Sequence, residues 1–134
     1  MRAITLGLLA ALAFCTAPAA TAEPASVVPE VPPGVTGVAF VDDPTIVDPH
    51  LMPIQSWSRL GDGKLLALHF TTGTPECYGV NARVHETAEN VTVELRGGTR
   101  PDAVGRACIL IALTGTLEVP LQTPVGDRQV LSVY

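Results

Sequence analysis

The sequence predicts a mainly all-β protein: a small antiparallel β-sandwich or partly open barrel of about six strands, with one short helix and one disulfide. Three observations carry this expectation. Gly and Pro number 12 each in 134 residues, a density that suits short strands joined by turns better than a helical bundle. Apolar and polar residues alternate over much of residues 54–134, the period of a half-buried strand. Asp62-Gly63 stands between two apolar runs, and that dipeptide favours a tight hairpin turn because its central residues need positive φ. Hydrophobic residues at 47% suffice for a core, and charged residues at 16% are too few for a solvated disordered chain or a coiled coil.

Residues 1–22 read as a secretory signal peptide. Arg2 supplies the positive start, residues 4–14 form a short apolar run, and Ala20-Thr21-Ala22 fits a small-residue cleavage site. The run is shorter than the roughly 20 residues a transmembrane helix needs. Cleavage after Ala22 would start the mature chain at Glu23, with no transmembrane helix left in it. Leu12-Ala13-Phe14-Cys15 opens an alternative, a lipoprotein anchored at Cys15, against which stands the bulk of Phe14 before the Cys. Residues 23–50 read as a Pro-rich, acidic and largely disordered linker. They hold Glu23, Glu30, Asp42, Asp43 and Asp48 with no Lys or Arg, and repeated prolines favour an extended chain. Within them, residues 35–41 are apolar enough to dock as an edge strand. Residues 51–134 are the expected disulfide-tied β-domain.

In that domain, residues 57–60 and 64–70 form the first hairpin around Asp62-Gly63. This sets Leu60 opposite Leu65 and Trp57 opposite Leu68, with Trp57 expected as core filler. Residues 80–86 and 91–96 form the second, across a four-residue loop. Its register puts Ala82 opposite Leu95, Arg83 opposite Glu94 as a surface pair, and Val84 opposite Val93. Every Val, Ala and Leu then falls on one face and His85 on the other, a sorting that a one-residue slip would destroy. Gly97-Gly98 is expected to end the strand. Thr99-Arg100-Pro101-Asp102 looks like the start of a short helix capped by Thr99. Residues 109–113 are apolar on both faces and predict a covered central strand. Leu117, Val119 and Leu121 point inward from the next strand, and residues 128–134 form the return strand after a turn at Pro124-Val125-Gly126-Asp127.

With Cys15 outside the domain, Cys77 and Cys108 remain, and a pair in an exported domain predicts a disulfide. The closed loop of about 32 residues contributes roughly 3.5–4 kcal/mol by chain entropy. His69 and His85 lack ligand-like spacing to either Cys, so no metal and no cofactor are expected.

Several motifs follow one another along the chain: Trp57-Ser58-Arg59, residues 72–79, Glu86-Thr87 with Val91-Thr92-Val93, Arg106-Ala107-Cys108, and Pro124-Val125-Gly126-Asp127-Arg128. From about Asp48 onward the chain resembles a group of small exported proteins and lipoproteins of actinobacteria, with Val125 where those proteins tend to have Leu. The resemblance implies export and a Cys pair and carries no catalytic residues.

Chemical motifs are sparse. There is no Gly-x-Ser-x-Gly elbow, phosphate loop, zinc motif or calcium loop. Ser56, Ser58 and Ser132 fall on strands near no evident His, and His69 is expected on a strand surface. The net charge of −5 and a pI near 5.0 argue against nucleic-acid binding. The expectation is therefore an exported, non-catalytic β-domain, secreted or at the cell envelope. It would bind an unknown protein or envelope ligand through Thr72, Thr74, Glu76 and Tyr78, on and beside the loop ending at Cys77. A secreted inhibitor of an extracellular hydrolase is the alternative, ahead of a small hydrolase.

Overall fold

Alternation along the chain builds two sheets, and residues 24–51 lace them together. A computed structural model describes residues 15–19 and 24–134. The expected leader and its cleavage site lie outside the described residues, apart from residues 15–19, which are irregular and exposed. The first sheet holds β2 (Val38–Phe40), β8 (Leu113–Pro120), β5 (Leu65–Thr72) and β4 (Ser56–Leu60), in that order. The second runs β1 (Ala25–Val27), β9 (Gln129–Val133), β7 (Asn90–Thr99) and β3 (Val47–Leu51), with β6 (Tyr78–Glu86) along the other edge of β7. Phe70, Leu66, Leu68 and Leu117 from the first sheet meet Val80, Val91, Val93 and Leu95 from the second, all buried. This is the sandwich or half-barrel expected, but with nine strands among the described residues rather than about six, and with parallel pairing of β2 with β8 and of β7 with β9 in place of the antiparallel pairing expected.

Both hairpins have the expected register, but the first turn spans residues 61–64 with positive φ at Gly61 and Gly63 and not at Asp62. Leu60 pairs Leu65 and Trp57 pairs Leu68; Ala82, Arg83 and Val84 pair Leu95, Glu94 and Val93. His85 is exposed and Trp57 buried, as expected. The Arg83–Glu94 ion pair does not form, because Glu94 pairs instead with Arg96 on its own strand.

Residues 24–50 are not a loose linker. They run around the sandwich as a belt, with main-chain pairing at each edge they meet. β1 pairs β9. Residues 29–31 then lie beside β4, with Trp57 N donating to the Pro29 carbonyl at 3.0 Å and Val31 N to the Trp57 carbonyl at 2.8 Å. The chain crosses the outer face of the first sheet and becomes β2, parallel to β8; this is the edge strand expected within residues 35–41. Asp43 N next donates to the Val80 carbonyl at 2.8 Å, which brings the belt to the edge of β6. It crosses the second sheet over the cross-strand pair Gly79 and Gly98. A Cβ at Gly98 would stand 2.7 Å from the Val47 carbonyl oxygen, and one at Gly79 would stand 2.7 Å from Ile46, so glycine is what admits the belt there. Hence Gly97-Gly98 continues β7 through Thr99 and does not end it.

The belt escapes the entropy argument because it buries Val28, Phe40 and Ile46 while covering strand edges that need partners. The Phe40 ring meets Phe70 edge-to-face at 5.6 Å. Trp57 Nε1 donates to the Val28 carbonyl at 3.1 Å, which pins the first crossing.

Two further expectations change. The short helix is a single 3-10 turn, Pro101–Ala103, with Arg100 at the N-cap and no side-chain cap, so Thr99 does not cap it. Residues 109–113 are not a covered strand. β8 begins at Leu113, opposite Thr72 at the end of β5. No strand remains there to pair residues 108–112, which run exposed or half-exposed over the surface.

Candidate binding site at the disulfide end

The Cys77–Cys108 bond forms, with Cα atoms 6.2 Å apart. It joins the start of β6 to the segment before β8, and the surface features gather around it.

On the Cys77 side, residues 72–78 make a tight connection. The Thr74 carbonyl accepts from Cys77 N at 3.2 Å and from Tyr78 N at 3.0 Å. Thr74 Oγ1 accepts from Glu76 N at 3.4 Å. Arg100 braces the turn from outside: its Nη1 donates to the Pro75 carbonyl at 3.1 Å, its N to the Cys77 carbonyl at 2.8 Å, and its Nε reaches Asp102 at 3.1 Å. The four residues expected as a contact surface therefore divide. Thr74 is buried and holds the turn, Glu76 is exposed, and Thr72 and Tyr78 are half-buried. Thr72 and Tyr78 line one depression of about 350 Å³ with His50, Met52 and Tyr134. Tyr78 also walls a second, of about 350 Å³, with Phe40, Asp42, Asp43 and Arg100. Asp43 is held below the ordinary carboxylate value by the hydroxyl and N–H of Thr45, with Arg100 adding to the effect and burial opposing it.

On the Cys108 side the chain is apolar and bare. Ile109, Leu110 and Ile111 are 62%, 95% and 47% exposed. Monomeric domains seldom leave consecutive large aliphatics in water without a partner for them. The sequence alone places this run in the core, because a short apolar stretch without alternation looks the same in both settings.

Away from this end, β4, β5 and β8 bring Ser58, His69 and Thr116 together on the outer face of the first sheet. Ser58 Oγ and His69 Nε2 are 2.9 Å apart, and Thr116 Oγ1 lies 3.3 Å from His69 Nδ1. His69 is 3% exposed and Ser58 1%, because the belt crosses above them; Ser58 Oγ lies within hydrogen-bond reach of the Pro32 carbonyl at 3.3 Å. His69 is thus a buried residue with a serine neighbour, and the expected surface histidine is corrected. Burial lowers its pKa from the ordinary imidazole value. The Ser–His spacing suits a nucleophile and base. The third group, however, is a hydroxyl, and the belt closes access, so the cluster as folded joins strands.

Glu86 and Arg128 form the other polar cluster. Arg128 Nη2 meets Glu86 Oε1 at 3.1 Å, and the guanidinium also donates to the carbonyls of Thr87, Thr123, Pro124 and Val125. This ties the turn before β9 to the β6–β7 loop. Among the described residues, no group of three or more His, Cys, Asp or Glu is placed to hold a metal, and no helix is long and apolar enough to cross a membrane.

The fold and site together define a belted, disulfide-tied β-sandwich with an apolar tip. The chain matches no protein-family model, no curated protein and no solved structure.

Proposed function

We propose that the chain is an exported, non-catalytic β-domain that binds a protein partner at the cell envelope or outside the cell. The observation that carries this reading is the bare aliphatic run Ile109-Leu110-Ile111, fixed at its root by the disulfide. A disulfide between Cys77 and Cys108 fits an oxidising compartment. Tyr78 remains the member of the expected contact set best placed to add to the surface, since it stands between two depressions on the same side of the bond. A partner covering this end would remove apolar area from water around a rigid root, which limits the entropy lost on binding.

The test is affinity capture from culture filtrate and envelope fractions with the disulfide-intact protein, beside its Leu110→Asp variant. The wild type should retain a discrete partner that the variant loses. Capture that survives both Leu110→Asp and Tyr78→Ala would place the surface elsewhere and refute this assignment. Intact mass of the exported protein should begin at Glu23; a diacylated species beginning at Cys15 would make the domain a membrane-tethered lipoprotein.

A further inference from the structure

We infer that residues 107–112 form a substrate-like loop that occupies the cleft of an extracellular endopeptidase with an apolar primary pocket, Leu110 filling that pocket. This rests on the binding reading above and names the partner class.

The loop is anchored on both sides. Cys108 is bonded to Cys77, and Leu113 enters β8 opposite Thr72. Between these anchors the chain runs with no turn or bend. Residues 107–112 make no main-chain hydrogen bond among the described residues. Their peptide groups are therefore open to a partner that adds alongside them as a strand does. The side chains complete the pattern: Leu110 is 95% exposed at the centre, flanked by Ile109 at 62% and Ile111 at 47%.

Each feature narrows the occupant. A lipid surface would take the aliphatics but leave the open peptide groups without partners, which hydrocarbon penalises heavily. A second copy of this chain presents the same protruding loop, and the depressions beside its Tyr78 and Phe40 are open surface features; Leu110-dependent dimerisation would assign the loop to one of them. A cleft that binds an internal stretch of extended chain and has a pocket for one apolar side chain satisfies both the main chain and Leu110. That is how an endopeptidase holds its substrate. The disulfide then decides between substrate and inhibitor. Cys108 lies on one side of the peptide bond between Leu110 and Ile111, and β8 on the other. Were that bond cut, both new ends would stay attached to the sandwich, one through Cys77 and one through the β5–β8 ladder. Product departure is thereby blocked, and the preorganised loop keeps its place.

The test uses the disulfide-intact protein against chymotrypsin-type and subtilisin-type enzymes, which take large apolar residues, and a trypsin-type enzyme, which takes Lys and Arg. Hydrolysis of a chromogenic peptide is followed for hours while mass spectrometry reports the state of the chain. Inhibition of at least one apolar-pocket enzyme is expected, with the trypsin-type enzyme unaffected and the loop intact. Leu110→Asp should weaken inhibition about 30-fold or more, the loss typical of a central anchor residue, while Leu110→Met retains most of it. Because Leu110 is exposed, an unchanged urea midpoint will show that Leu110→Asp still folds. The double variant Cys77→Ser, Cys108→Ser should be cut after Leu110. Rapid cleavage of the wild type, absence of inhibition, or Leu110-dependent dimerisation or vesicle binding in its place would overturn the assignment. Leu110-dependent capture of a partner without peptidase activity overturns the peptidase assignment alone, whereas no capture by the wild type overturns the binding reading itself.

Discussion

Replacing Arg128 with Met should destabilise the domain by about 2–4 kcal/mol at neutral pH. Met keeps most of the aliphatic stem and removes the charged fork. In the wild type that fork makes a 3.1 Å bond to Glu86 Oε1 and donates to four loop carbonyls at 3.0–3.2 Å. The loop carbonyls sit near water and recover part of what they lose. Glu86 recovers less, since its side chain is only 17% exposed and that of Arg128 12%. A charge-assisted hydrogen bond contributes about 1.5–3 kcal/mol, and stranding a half-shielded carboxylate adds to the loss. Glu86 keeps the Gln122 N–H at 2.8 Å, which holds the total below that of a fully buried broken pair. Urea unfolding followed by Trp57 fluorescence measures the change, because Trp57 is buried and is the sole tryptophan. The pH dependence supplies a second check. The Glu86 carboxyl lies below its ordinary value of 4.5, held there first by the Gln122 N–H and then by Arg128, against burial. Its contribution is therefore complete above the unfolded value and fades as pH falls through the folded one. The gap between wild type and Arg128→Met should narrow on acidification below about pH 4.5. A loss under about 0.5 kcal/mol, as for an ordinary surface change, or a gap that stays constant into acid, would refute the reasoning.

Two other outcomes follow from the polar seam and the disulfide. The lowered pKa of His69 means that the unfolded chain takes up a proton first, so stability should fall as pH drops below about 6.5. The slope from this residue is at most about 1.4 kcal/mol per pH unit, and His69→Gln, which can still bond Ser58 and Thr116, should remove it; an unchanged slope in urea titrations sinks the assignment. Replacing both Cys77 and Cys108 with Ala should cost about 3.7 kcal/mol, from chain entropy over a sequence separation of 31. A calorimetric loss under about 1 kcal/mol would show that the reduced chain keeps the two segments together by other means.

The hairpins were legible because their information is local. Alternating side chains set the register of β4 with β5 even though the turn over residues 61–64 puts positive φ at Gly61 and Gly63 and not at Asp62, and a four-residue loop did so for β6 with β7. The belt was illegible for the opposite reason. Its contacts last two or three residues each and reach far along the chain, from Val28 to Val130, Pro29 to Trp57 and Asp43 to Val80. Prolines interrupt any period that would have revealed them. Its acids looked like marks of a solvated chain, yet several are partnered within the fold. Glu30 pairs Arg59, Asp42 accepts from Asn81 and the Ala82 N–H, and Asp43 accepts from Thr45.

The same contrast separates the two sites. The contact between Ser58 and His69 was implicit in the first hairpin, since Leu60 opposite Leu65 places Ser56 opposite His69 and Ser58 on the adjacent diagonal, within side-chain reach. What the hairpin alone does not contain is the cover: Pro32 and its neighbours arrive from a segment that read as linker, and only that cover makes the histidine buried. The tip around Leu110 reverses the error. Its residues carry all the apolarity of a core strand, and cysteine counting located its anchor. Its exposure depends on how many strands remain to pair with it. β5 ends at Thr72 opposite Leu113, so the apolar residues before Leu113 have no ladder to join. Burial at His69 and exposure at Leu110 are both decided by segments distant in sequence, which is why composition assigned each to the wrong side of the surface.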